Sequence, residues 1–113
     1  MVASKFKVSY HPAAAHDLAL LVGARAEVRA VMNVVAKLAE LGPRLGPPHA
    51  AQLKGAAAAG LFELRPRRGN SDWRLICCRD GEDFAVLAVT RHAGFTAAVN
   101  SASQRMLEMG NHP

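Results

Sequence analysis

The chain reads as an α+β domain in which helices are segregated from a largely antiparallel sheet. Three observations carry that expectation. Across residues 12–41 apolar side chains recur at steps of three and four, the pattern of amphipathic helices. From Gly60 onward they alternate with polar residues or run continuously in short stretches separated by turn residues, as strands do. From Thr96 to Met109 the helical step returns. The expected order is an N-terminal strand, a helical hairpin, an antiparallel meander of three to four strands and a C-terminal helix, all in one domain spanning residues 1–113.

Each element has a local reason. Lys5 to Tyr10 alternates, with Phe6, Val8 and Tyr10 on the inner face. Pro12 suits the first turn of a helix running to about Val22, with Leu18, Leu21 and Val22 as its stripe. Gly23 interrupts it. A second helix runs from about Ala24 to Leu41, with Val28, Val31, Val35, Leu38 and Leu41 on one side, and Gly42-Pro43 ends it. Gly42 to Pro48 is rich in proline and glycine and predicts a stiff, irregular loop. Gln52 to Gly55 is a short strand and Ala56 to Ala59 a connector. Gly60 to Arg65 and Trp73 to Cys78 form a hairpin across the polar turn Arg67 to Asp72. Asp80-Gly81 turns into Phe84–Val89, apolar on both faces, as a strand covered on both sides or at a dimer seam would be. Thr90 to Gly94 is its polar exit. The last helix carries Val99, Ala102, Met106 and Met109 as its stripe, and Gly110 to Pro113 is a frayed tail.

With 113 residues the chain can bury a core without metal or disulfide. Its formal charge of +5 favours a polyanionic partner. Cys77 and Cys78 are neighbours on a strand and point to opposite faces, so they read as small buried residues of a reducing compartment rather than a bridge. No apolar run has the length of a membrane span, and residues 1–7 lack a secretion-signal pattern, so a soluble cytoplasmic protein is expected. No metal or cofactor is expected: there is no CxxC, no HExxH and no Gly-rich phosphate loop.

The chemistry-bearing residues cluster around the central hairpin. Phe62 and Leu64 bury while Glu63 and Arg65 share the other face, and Arg74 stands on the second strand. In an antiparallel meander strand ends meet, so Lys54, Arg65, Arg74 and His92 are expected to converge, with Arg67, Arg68 and Arg91 beside them and His49 in the loop before. Arginine offers a planar fork matched to phosphate oxygens, and histidine titrates near neutrality. That set fits metal-independent RNA cleavage. Lys54, Arg65 and Arg74 would hold the scissile phosphate and His92 would move the proton, with His49 as second choice. The same arginines also suit a solvated surface, and Arg65 has Glu63 or Asp72 as an ion-pair partner within reach. Trp73 is read as a core anchor of the hairpin rather than a base-stacking platform.

The run Leu41-Gly42…Leu45-Gly46-Pro47-Pro48, then Gln52-Leu53-Lys54-Gly55, Gly60-Leu61-Phe62-Glu63-Leu64-Arg65 and Trp73-Arg74-Leu75 resembles the phage-derived HigB-like branch of the RelE/ParE toxin superfamily. The resemblance covers about Leu38 to Val89. It implies a toxin of a type II toxin–antitoxin pair that enters the ribosome and cuts messenger RNA. It also implies an antitoxin partner, of helix-turn-helix type in this branch, in a toxin–antitoxin hetero-oligomer. Lys54, Arg65 and Arg74 match the basic residues of the family's sheet, and Glu63 matches an acidic slot that orients one of the arginines. The match departs after the last strand, where Arg91-His92 stands in place of a basic or acid–tyrosine–histidine set. Two other readings use the same residues: a ParE-like poison of DNA gyrase, and a non-catalytic basic module that binds an acidic partner or nucleic acid.

Overall fold

The computed structural model describes residues 5–21 and 23–110. Its elements are β1 (Val8–Tyr10), α1 (Pro12–Ala19), α2 (Arg25–Leu41), β2 (Ala50–Gln52), β3 (Leu61–Leu64), β4 (Trp73–Asp80), β5 (Asp83–Arg91) and α3 (Phe95–Glu108). The five strands form one sheet in the order β1-β5-β4-β3-β2. β1 runs parallel to β5, and β5, β4, β3 and β2 form the antiparallel meander.

Side-chain alternation divides the interior into two cores. On one face Phe62, Leu64, Leu75, Cys77, Phe84 and Val86 pack against Ala14 of α1 and Val31, Val34 and Leu38 of α2. The rings of Phe6 and Phe62 meet Phe84 edge-on at 5.7 and 5.8 Å. On the other face Leu61, Ile76, Cys78, Ala85 and Leu87 receive Ala102 and Met106 of α3. Each fully buried Leu, Ile or Val stabilises the fold by roughly 1.5–3 kcal/mol relative to exposure. The sheet is therefore covered on both sides, and that is why Phe84–Val89 is apolar throughout. The adjacent Cys77 and Cys78 are both buried, in opposite cores.

Local chemistry sets the boundaries. His11 caps α1, its Nδ1 accepting the Ala13 N–H at 3.1 Å, and Pro12 occupies the first turn. α2 stops at Gly42, whose φ of +56° favours glycine and whose Cα lies against the Phe6 ring. β4 and β5 close through Gly81, at φ +64°, with Asp80 paired to Asp83.

Several boundaries differ from the sequence expectation. β1 is limited to Val8–Tyr10 and α1 ends at Ala19; Leu21 is buried beyond it, and Val22 lies outside the described residues. The stiff loop contains one 3-10 turn at Gly42–Arg44. The strand expected at Gln52–Gly55 begins two residues earlier and ends three residues earlier, because Gly55, at φ +102°, already turns the chain into the 3-10 turn Ala56–Ala58. β4 continues two residues past Cys78. The frayed tail falls almost wholly on residues 111–113, outside the described residues.

Candidate nucleic-acid interface

The sheet register decides which basic residues meet. Leu64 pairs with Leu75, so Arg65 and Arg74 are the next positions outward on β3 and β4. Arg74 pairs with Thr90, and Trp73 with Arg91. The Arg65 N–H donates to the His49 carbonyl at 2.8 Å. His49, Arg65, Arg74 and Thr90 thus form a row across one end of the sheet, with Arg91 and His92 just beyond. Arg67 and Arg68 project from the loop joining β3 to β4 at the same end.

Lys54 does not join them. The Leu53 N–H donates to the Leu61 carbonyl, which places Lys54 level with Gly60 at the opposite end of the edge strand. At about 3.3 Å per residue it is roughly 16 Å along the sheet from Arg65. The expected convergence of Lys54 with Arg65, Arg74 and His92 is corrected on this point: in a short meander, strand ends meet only at the same end.

Arg65 is anchored. Its Nε and Nη2 both lie 2.6 Å from Glu63 Oε1, and Glu63 is buried between β2 and β4. Arg74 turns back on the loop. Its Nη1 donates to the carbonyls of Ser71 at 2.6 Å and Trp73 at 2.8 Å, and its Nη2 to that of Gly69 at 3.2 Å. A guanidinium has five N–H donors, so Nε–H and one Nη2 hydrogen remain for a ligand. Arg91 lies over the Trp73 ring at 5.0 Å and pairs with Asp72 at 3.3 Å. The exposed His92 is fixed through its backbone, which donates to the Asp72 carbonyl at 2.7 Å, and its ring stacks on Phe95 at 6.4 Å.

The loop itself is strained and braced. Arg67 and Arg68 are consecutive left-handed residues at φ 54° and 59°. A left-handed non-glycine residue costs roughly 1–2 kcal/mol. Ser71 Oγ donates to Glu27 Oε2 of α2 at 2.5 Å and accepts the Trp73 N–H at 3.0 Å. Arg67 Nε stands 3.8 Å from Glu27 Oε1. Carbonyl, carboxylate and guanidinium groups from three elements therefore hold the two arginines up.

Between this loop and α2 lies an open groove of about 690 Å³, lined by Arg29, Asn33, Lys37, Glu40, His49, Arg65, Arg67 and Arg68 over small residues including Ala26, Ala30 and Ala36. Arg29 and Lys37 read in sequence only as the solvated side of an amphipathic helix. The signal for them was the i, i+4, i+8 spacing of Arg29, Asn33 and Lys37 on one face, but nothing in the sequence said which loop that face meets. Among the described residues, no group of three or more His, Cys, Asp or Glu is placed to hold a metal. Nor is any described helix long and apolar enough to cross a membrane.

The family model described as "Phage derived protein Gp49-like" matches residues 22–92. The chain belongs to this Gp49-like family. The match takes in α2, the groove and every residue of the sheet-end cluster, and stops before α3. No match is found among curated proteins. The RelE-like fold of this Gp49-like chain is shared with solved toxins. The YoeB dimer of Staphylococcus aureus aligns over 79% of this chain and 99% of its own, with a TM-score of 0.61 at 17% identity. The YoeB/ParE toxin of Agrobacterium tumefaciens aligns over 77% and 99%, with a TM-score of 0.59 at 17% identity. The DinJ–YafQ toxin–antitoxin complex of E. coli aligns over 80% and 96%, with a TM-score of 0.60 at 15% identity.

Proposed function

We propose that this Gp49-like chain is the toxin of a type II toxin–antitoxin pair, and that it arrests translation by cutting messenger RNA on the ribosome. The observation that carries the reading is the gathering of Arg65, Arg67, Arg68 and Arg74 at one end of a RelE-like sheet. Structural neighbours of the same fold occur in toxin–antitoxin complexes, YoeB with YefM and YafQ with DinJ, which supports an antitoxin partner here. The proposed setting is the cytoplasm.

In the proposed reaction a ribose 2′-hydroxyl attacks the adjacent phosphate, a base takes its proton, and an acid protonates the leaving oxygen. Arg65, held by Glu63, and the two remaining donors of Arg74 bind the phosphate and stabilise the charge that develops on it. His92 and His49 are the proton-transfer candidates. His92 lies beyond Arg74 at the same sheet end, while His49 shares the groove with Arg65. Arg67, Arg68 and Arg91 hold flanking phosphates. Lys54, at the far end of β2, contacts the strand away from the scissile bond.

The test is induced expression in a bacterial host, followed by mapping of transcript ends and DNA integrity. Cut transcripts are expected, and Arg65→Ala and Arg74→Ala variants that remain folded relieve the arrest. Undiminished arrest in both variants, or broken DNA beside intact transcripts, overturns the nuclease reading. The second result selects gyrase poisoning.

A further inference from the structure

We infer that the groove between α2 and the β3–β4 loop is a track that carries the sugar–phosphate backbone of single-stranded RNA onward from the sheet-end site along α2, with His49 and Arg65 common to both. The inference takes its polyanionic ligand from the proposed function and adds a second place where that ligand lies.

Charge is the first argument. Arg29, Lys37, Arg65, Arg67 and Arg68 line the groove against the single carboxylate of Glu40. Arg65 and Arg67 have acidic partners, in Glu63 and Glu27. Among the described residues, Arg29, Lys37 and Arg68 take part in no ion pair. Three unpaired cations on facing walls against one carboxylate leave an excess of positive charge that an anion relieves.

Geometry is the second. Arg29, Asn33 and Lys37 follow each other at successive turns along α2, so the helix wall presents cation, amide and cation over about 12 Å. Arg67 and Arg68 form the opposite lip, held left-handed at the cost of backbone strain, and such strain persists where a binding surface needs it. The floor decides between ligands. Its apolar lining is Ala26, Ala30, Val34 and Ala36, with none of the aromatic side chains that anchor protein–protein interfaces. A phosphate strand needs only the paired rows of cations.

The experiment uses the full chain, a uridine dodecamer and a salt titration. The groove variant is Arg29→Ala/Lys37→Ala. The control is Arg25→Ala/Arg44→Ala, an equal loss of charge at exposed positions outside the groove. Each phosphate neutralised contributes about −0.7 to the slope of log K against log salt for a single strand. The groove variant is therefore expected to flatten the slope by about 1.4 and to weaken binding at least tenfold beyond the control, with an unchanged melting temperature. Equal slopes and affinities for groove variant and control overturn the inference. So does groove-dependent binding of a polyglutamate peptide without groove-dependent RNA binding, which assigns the groove to an acidic protein. Failure of the nuclease reading alone looks different: transcripts stay intact while the groove-dependent slope persists.

Discussion

Arg65 is the residue on which the proposed chemistry leans most, and its pair with Glu63 has two unequal ends. The Arg65 side chain is 37% exposed and that of Glu63 only 9%. Removing one partner of a buried pair costs roughly 3–5 kcal/mol because the other charge is stranded. Arg65→Ala strands the buried carboxylate, and since water reaches the arginine end, the lower limit of about 3 kcal/mol is appropriate. Glu63→Gln leaves an acceptor oxygen and a guanidinium that can turn to solvent, so about 1 kcal/mol is expected. The double variant buries a neutral amide without its partner at about 2 kcal/mol, leaving a coupling of about 2 kcal/mol. With an unfolding entropy of about 2.1 cal/mol/K per residue, Arg65→Ala lowers the melting temperature by about 12 °C and Glu63→Gln by about 4 °C. Urea unfolding followed by the fluorescence of the single tryptophan, Trp73, measures all four corners of the cycle. Equal costs for the two single variants, or a coupling below about 0.5 kcal/mol, would mean that Glu63 does not hold Arg65 in place. The site would then lose the cation that a buried carboxylate anchors.

Tyr10 Oη is buried and has no hydrogen-bond partner among the described residues. Tyr10→Phe removes that penalty and is expected to leave stability unchanged or raise it by up to about 1 kcal/mol, read by urea unfolding. Burial pushes the Cys77 thiol well up, with Cys78 adding to it, and raises the Tyr10 hydroxyl, with Cys77 adding to it. Both groups lose protons more readily when unfolded, so their contribution is complete below the unfolded thiol value of about 8.5 and is lost as pH rises toward the folded values. Stability flat from pH 8 to 10 refutes that sign. Gly42→Ala sets a methyl group against the Phe6 ring at a positive φ and is expected to cost about 2 kcal/mol or more, seen as a drop in melting temperature. Arg68→Gly relieves a left-handed arginine, so its stability rises by up to about 1 kcal/mol while its affinity for a uridine dodecamer falls. Loss of both together indicates misfolding rather than a lost contact.

The fold was legible where a period was long. The Val31, Leu38 step of α2 and the apolar run Phe84–Val89 each dictate one environment, and α2 and the central strand stand where those patterns put them. Boundaries near Gly55 were not legible, because a positive φ there ends pairing two residues before the apolar pattern does. The Glu63–Arg65 contact was within reach of sequence reasoning, since residues two apart on a strand share a face. The place of Lys54 was not, because it depends on the register of β2 against β3, and a strand of three residues carries too little pattern to fix a register. Arg29 and Lys37 escaped for a similar reason: only the tertiary position of the β3–β4 loop turns a solvated helix face into one wall of a groove.

That loop couples the two basic surfaces. Glu27 of α2 binds Ser71 and stands against Arg67, Arg74 ties down the carbonyls of Gly69, Ser71 and Trp73, and Asp72 takes Arg91 and the His92 N–H. The loop touches α2 on one side and the ends of β4 and β5 on the other. A ligand that pulls on Arg67 or Arg68 in the groove therefore acts, through a few hydrogen bonds, on the segment that Arg74 braces. The strain in two consecutive left-handed arginines makes that segment the least indifferent part of the sheet end to what occupies it. Glu27→Gln tests the linkage without removing a cation from either surface. It weakens the contacts to Ser71 and Arg67 while every arginine remains. If RNA binding and growth arrest both stay at wild-type levels in that variant, the bracing is structural only, and the groove and the sheet end act independently.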